Sequence, residues 1–420
     1  MRFILIGAGQ RGMIYARCIQ ERGHEIAAVA ERDAQRRKAA RQAFGIPEER
    51  CYESGERLLA QPRMGDAAII ATMDRDHYGQ AIPAMEKGYH LLLEKPISPI
   101  PEQFLEIEAT AHRLKRHVAV CHVLRYAPFF MEIKRLLDAG AIGKVVTIQH
   151  NENIGNFHFA HSFVRGNWRR KADSSPLIMQ KSCHDMDLLV WLAGSGCKRV
   201  ASFGELTYFK AQNAPEGAAK RCADCPRSDS CRFSAYSCYL PIAGCWPASV
   251  LSGDQSEAGL REAIRTGPYG RCVYHCDNDV CDHQVTVLEF DNGVTATFNL
   301  SAFTDRIART LKIMGEDGEL RASEEMNTIE VIPFSSNAQA KAEIRTIHPA
   351  LAASGHSGGD AGIVDSFLKM LEAGGGETAT DISRSVESHL MACAAEEARV
   401  TGAVVEIADF RRRHEGGAGA

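Results

Sequence analysis

Nowhere do the 420 residues offer a run of about 20 apolar side chains, the length a helix needs to cross a bilayer, so no membrane-spanning helix is expected. A surplus of one charge is missing too. The 49 basic and 53 acidic residues leave a formal net charge of -4, which provides no broad cationic field for a phosphate backbone and excludes nucleic acid as an expected partner. A secretory leader is not expected either: Met1-Arg2-Phe3-Ile4-Leu5-Ile6 is apolar, but Gly7 interrupts it and no small-residue cleavage site follows. These absences predict a cytoplasmic protein that binds small molecules. Thiols stay reduced in that compartment, so the fourteen cysteines call for burial, metal or reactivity rather than disulfides. No internal repeat is visible.

The chain does have ample apolar material: 45% hydrophobic against 24% charged residues supports two domains. From residue 1 to 122, aliphatic runs at Arg2 to Ile6, Glu25 to Ala30, Ala67 to Thr72, His90 to Leu93 and Val118 to Cys121 alternate with helical stretches. The helices are expected around Met13 to Glu21, His77 to Lys87 and Glu102 to Arg116. This alternation predicts parallel βαβ units, a doubly wound α/β domain. A second domain over 123–410 should open with a helix near Pro128 to Ala139. Its strands at Val145 to His150, Arg199 to Glu205, Gln284 to Phe290 and Thr295 to Ser301 should build a mixed sheet, followed by helices near Ile363 to Leu371 and Ser383 to Thr401. A cysteine-rich insertion occupies 210–282, and the tail 411–420 is expected to be disordered.

Gly7-Ala8-Gly9-Gln10-Arg11-Gly12 fits the dinucleotide fingerprint directly after a strand and before a helix. Gly7 permits the tight turn, Gly9 lets backbone approach a pyrophosphate, and Gly12 allows helix to pack closely on sheet. Glu31 ends the second strand, where a carboxylate accepts hydrogen bonds from a ribose diol and favours NAD. Arg32, with Arg36 and Arg37 behind it, suits a 2′-phosphate, so NADP stays open.

Three further segments carry a family resemblance: Ala71-Thr72-Met73-Asp74 with His77, then Glu94-Lys95-Pro96 at a strand end, then Arg125-Tyr126 with His184-Asp185-Met186-Asp187. Together they resemble the Gfo/Idh/MocA oxidoreductases over nearly the whole chain. The resemblance implies a Rossmann domain, a C-terminal α/β domain with an open, mainly antiparallel sheet, and NAD(P)-dependent chemistry on sugars or cyclitols. It also implies Lys95 and His184 as the catalytic pair. Cofactor contacts extend from the glycine loop to Thr72, His77 and Glu94, and substrate contacts to Gln180, Lys181, Arg125, Tyr126 and Asp187. His356, in the run His356-Ser357-Gly358-Gly359-Asp360, is a further candidate on a loop that faces substrate or merely hinges. Where such dehydrogenases carry an acid four residues before the histidine, this chain has Gln180, an amide that exchanges no proton near neutral pH. The acid/base task then falls on His184 and Lys95.

Cys222-x2-Cys225-x5-Cys231, followed by Cys272, suits a structural tetrahedral zinc, with Cys276, His275 or Cys238 as substitute fourth ligand. An iron-sulfur cluster uses the same ligand type; unligated buried thiols are the bland alternative. The expected activity is hydride transfer between nicotinamide and a secondary alcohol of a sugar, sugar derivative or inositol. Alternatives are glycoside cleavage through a transient keto-sugar and a nucleotide-sensing binding protein without turnover. The expected partners are a polyol substrate and copies of the chain itself, as a homodimer or homotetramer.

Overall fold

The computed structural model describes residues 1–337, 339–340, 342–351 and 358–415. Six short strands, β1 (Arg2–Ile6), β2 (Glu25–Ala30), β3 (Cys51–Tyr52), β4 (Ala67–Ile70), β5 (His90–Leu93) and β6 (Val118–Val120), pair in parallel in the order β3-β2-β1-β4-β5-β6. Apart from β3 and the first residues of β1, β2 and β5, their side chains are buried on both faces, as near-continuous apolar runs in a parallel sheet must be. The strand order reverses between β1 and β4, which opens a crevice at their carboxyl ends. Helices Gln10–Glu21, His77–Glu86 and Pro101–Leu114 fall where their apolar spacing places them. Two elements carry too little apolar signal to be read in advance. β3 is two residues long, and helix Ala34–Phe44 is largely polar, fixed by the Asp33 side chain capping Arg36 N and by Gly45 in the left-handed conformation at φ 66°.

Among the described residues the second sheet holds nine strands: β7 (Val145–Asn153), β8 (Cys197–Glu205), β9 (His283–Phe290), β10 (Thr295–Ser301), β11 (Ala308–Gly315), β12 (Gly318–Ser323), β13 (Thr328–Pro333), β14 (Arg345–Ile347) and β15 (Val405–Glu406). Their order is β14-β13-β12-β11-β7-β10-β9-β8-β15; β7 and β10 pair in parallel and the other described neighbours antiparallel. Helices Cys183–Ala193 and Ile382–Thr401 pack against this sheet. On the uncovered side Val146, Phe203, Val285 and Val287 stay exposed.

The C-terminal part of the chain also completes the first domain. Ile363, Val364, Phe367, Leu368 and Met370 of helix Gly359–Glu372 share a buried cluster with Phe3, Leu5, Tyr15, Ala16 and Ile19. Residues 210–282 form short helical turns and two helices, Ala235–Tyr239 and Glu257–Thr266, around a small core of their own built on Tyr239, Ala248, Ile264 and Tyr269. The expected disorder from Arg411 gives way to structure as far as Glu415. Helix Ile407–Glu415 buries Phe410 and is tied down by Arg411 to Glu108, Arg413 to Glu397 and His414 to Glu102, while 416–420 lie outside the described residues. Among the described residues no helix is long and apolar enough to cross a membrane.

Candidate active site

The glycine turn is shaped by sterics. Gly7 has φ 93°, and a Cβ there would lie 2.5 Å from the Ala71 carbonyl oxygen; a Cβ on Gly12 would lie 2.0 Å from the Gly7 oxygen. Gly9 differs: nothing stands within 4 Å of its would-be Cβ. It precedes helix Gln10–Glu21, whose start has no side-chain cap, so the helix N-terminus meets open space, an arrangement that favours an anion. A cavity of about 330 Å³ lies beyond, lined by Gly7, Gly9, Glu31, Arg32, Arg36 and Gln80 among others. Glu31 is held there as a hydrogen-bond acceptor, its Oε2 2.8 Å from Ala8 N and its Oε1 3.0 Å from Asp33 N. Tight turn, bare approach and fixed carboxylate fit the pyrophosphate and ribose of a dinucleotide.

A second cavity, of about 450 Å³, shares Ala71, Thr72 and Met73 with the first. Lys95, Gln180, Lys181 and His184 all face it. Strand β5 carries Lys95 to this point, and its Nζ donates to the Gln180 carbonyl at 3.0 Å. Lys181 pairs with the buried Glu152 at 2.9 Å, and Arg309 reaches the same carboxylate at 2.8 Å. Burial holds Glu152 above the usual carboxylate range despite these two cations. The His184 ring meets His122 edge-on at 5.7 Å. Burial, then the charges of Arg125 and Lys95, keep His122 far below the ordinary imidazole range.

The other expected residues have mixed placements. Arg11 and Glu94 also line the second cavity, but they spend contacts on each other: Arg11 Nε donates to Glu94 at 2.8 Å, and the guanidinium forks onto Asp360 at 2.7 and 2.9 Å. Burial alone would raise the Glu94 pKa; Arg11, then Lys95, outweigh it and hold this carboxyl below its usual range. Gln10 is exposed at the start of its helix. Thr72 donates from Oγ1 to Gln80 at 2.8 Å, and the buried His77 lies 2.8 Å from the Pro96 carbonyl, bracing the turn that carries Lys95. Substrate contacts expected for Arg125, Tyr126 and Asp187 find no support in the geometry. Arg125 and Asp187 form a buried ion pair at 2.6 Å, Tyr126 lies against Ser366 and Thr380, and none of the three lines the cavity. His356 lies outside the described residues.

Sequence reasoning missed much of the wall. His158, Ser162 and Phe163 come from the helical segment that ends in a π-turn at Ala160–Arg165, Trp168 from the loop after it, and Ile307, Arg309 and Glu324 from around β11 and β12. The i,i+4 spacing of His158 and Ser162 was the one local hint. That loop is held by the insertion: Arg169 pairs with Asp277 at 2.7 Å, and Lys171 N donates to Asp279 at 2.7 Å.

Cys222, Cys225, Cys231 and Cys272 do surround one small pocket. Even so, among the described residues no group of three or more His, Cys, Asp or Glu side chains is arranged to hold a metal ion, so the expected zinc or iron-sulfur staple is not supported. The fully buried Arg165 guanidinium enters the same pocket, with Nη2 3.7 Å from Cys222 Sγ and 2.6 Å from the Phe233 carbonyl. It ties the insertion to the rest of the chain beside the insertion's own apolar core.

The fold and its paired cavities are those of an NAD-binding oxidoreductase. Residues 1–122 match the oxidoreductase family's NAD-binding Rossmann fold and 134–407 its C-terminal alpha/beta domain, and the chain belongs to the Gfo/Idh/MocA oxidoreductase family. It is 26% identical over 312 residues to YteT of Bacillus subtilis (strain 168), named as an oxidoreductase, covering 70% of each chain. It is 29% identical over 226 residues to inositol 2-dehydrogenase of Corynebacterium glutamicum (strain R), covering 52% of this chain and 61% of that protein. Levoglucosan dehydrogenase, solved in complex with NADH and L-sorbose, superposes with a TM-score of 0.71 at 17% identity, covering 98% of this chain and 99% of the other.

Proposed function

We propose that this chain is an NAD-dependent dehydrogenase that moves hydride between nicotinamide and a secondary alcohol carbon of a sugar, sugar derivative or inositol. The observation that carries this reading is that Lys95 and His184 face one cavity, which joins the dinucleotide cavity through Ala71, Thr72 and Met73. Bound there, nicotinamide supplies a two-electron hydride acceptor. Lys95, oriented by the Gln180 carbonyl, donates a hydrogen bond to the substrate oxygen, and His184 accepts the hydroxyl proton. Phe163 and Trp168 offer apolar faces to a sugar ring and keep water from the reacting carbon. The buried Glu31 carboxylate favours the free ribose of NAD over the 2′-phosphate of NADP. The names of the inositol and levoglucosan enzymes support a polyol or sugar substrate. The open face of the second sheet, with its exposed valines and Phe203, suits contact between copies of the chain.

A screen of sugars, glycosides and cyclitols with NAD⁺, followed by the absorbance of reduced nicotinamide, tests the reading. At least one compound is expected to be oxidised with NAD⁺ preferred over NADP⁺. Tight NADH binding without oxidation of any compound in the panel would refute it.

A further inference from the structure

The reacting cavity contains a carboxylate that the proposed mechanism has not yet used. Asp74, in the loop after β4, is 7% exposed and lines the cavity beside Met73, where the two cavities join. Its Oδ2 lies 2.8 Å from Ser174 Oγ, which belongs to the loop that the insertion holds in place. The same Oγ lies 3.2 Å from Gln180 Oε1. Gln180 cannot turn its amide around, because its Nε2 already donates to the Trp168 and Ser175 carbonyls, each at 3.0 Å. Ser174 therefore stands between two acceptors with a single hydroxyl proton to give. One link of the chain Asp74–Ser174–Gln180 lacks a hydrogen as long as Asp74 is a carboxylate. A proton arriving on Asp74 supplies it: the carboxyl then donates to Ser174 Oγ, and the serine proton turns to Gln180.

From this count we infer that Asp74 is the proton-accepting carboxylate of the site, the task that an amide at position 180 cannot perform. The inference rests on the dehydrogenase reading above. In the oxidising direction the carbinol C–H bond breaks with its electron pair passing to the oxidised nicotinamide. The O–H bond breaks with its electrons becoming the second C–O bond, and the proton ends on Asp74, handed over by the hydroxyl or by His184. In the reducing direction Asp74 returns it. A carboxylate at this junction also favours the cationic ring of NAD⁺ over the neutral ring of NADH.

Two measurements on the full chain test the assignment, using the isosteric variant Asp74→Asn beside wild type. With the polyol that wild type oxidises fastest, Asp74→Asn is expected to lower kcat about a hundredfold and to leave KM within about twofold. Asp74→Glu should restore part of kcat. Direct titration with NAD⁺ and NADH needs no turnover: Asp74→Asn is expected to weaken NAD⁺ binding several-fold while NADH binding, the control for folding, stays unchanged. An unaltered kcat in Asp74→Asn, with wild type active, overturns the role. If wild type oxidises nothing, the dehydrogenase reading fails on its own, and an unaltered ratio of NAD⁺ to NADH affinity shows that Asp74 does not face the reacting end at all.

Discussion

At the scale of single residues, the proposed chemistry rests on few proton-carrying groups. Lys95 lines the cavity and commits one ammonium donor to the Gln180 carbonyl, which leaves two for a ligand. Lys95→Ala is therefore expected to lower kcat by about 10²- to 10⁴-fold while NADH binding, followed by fluorescence, is retained; unchanged turnover would remove Lys95 from the chemistry. Glu31 governs the other end. Glu31→Ser is expected to shift preference toward NADP⁺ by roughly tenfold, about 1.4 kcal/mol, because Arg32 and Arg36 line the same cavity and lose their acidic neighbour. Ratios of kcat/KM for the two dinucleotides measure this. The glycines, Glu31 and Lys95 stood out in the sequence because each closely follows a strand end, and His184 because of the family pattern His184-Asp185-Met186-Asp187. Asp74 was visible only as part of Ala71-Thr72-Met73-Asp74, with no role of its own, and Trp168 and Arg309 were not visible at all. They come together only through packing between domains, and no spacing along the chain encodes it.

At the scale of elements, close approach and buried charge set what can be changed. Gly12→Ala would place a methyl 2.0 Å from the Gly7 oxygen, so the helix must lift from the sheet. A loss of about 1–3 kcal/mol of stability and of measurable NADH affinity is expected, read by thermal melting and titration. Arg125→Met would leave Asp187 buried without its partner, at a cost of about 3–5 kcal/mol. Its melting temperature should fall sharply, in keeping with a structural rather than a substrate-binding pair. The strands of the first sheet were readable as uninterrupted aliphatic runs, whereas β14 and β15 span three and two residues and offer no period to detect. The run Ala308–Gly315 does alternate, with Leu311 and Ile313 buried, so β11 was present in the sequence and was overlooked. The spacing of the cysteines says nothing of a distant arginine: Arg165 reaches their pocket across 57 residues from Cys222.

For the molecule as a whole, buried imidazoles link stability to acidity. Burial, then Arg165, lowers His161 to about 4, and burial, then His122, lowers His389 to about 3. Both lie below the unfolded value near 6.5, so in the window between them the unfolded chain binds protons that the native one refuses. Stability should thus fall as pH drops from about 6.5 toward 4 and level off below the folded values. A melting temperature that stays flat from pH 7 to 4.5 would contradict this. The two-domain plan was readable from composition and alternation, but not the return of helix Gly359–Glu372 to the first domain. That helix fills the groove beside Tyr15 and Ile19 and pairs Asp360 with Arg11 and Asp365 with Arg22. A ribosome therefore releases the nucleotide-binding half long before the segment that seals it. During that interval the nascent chain displays a bare greasy stripe, and chaperones have their longest opportunity there.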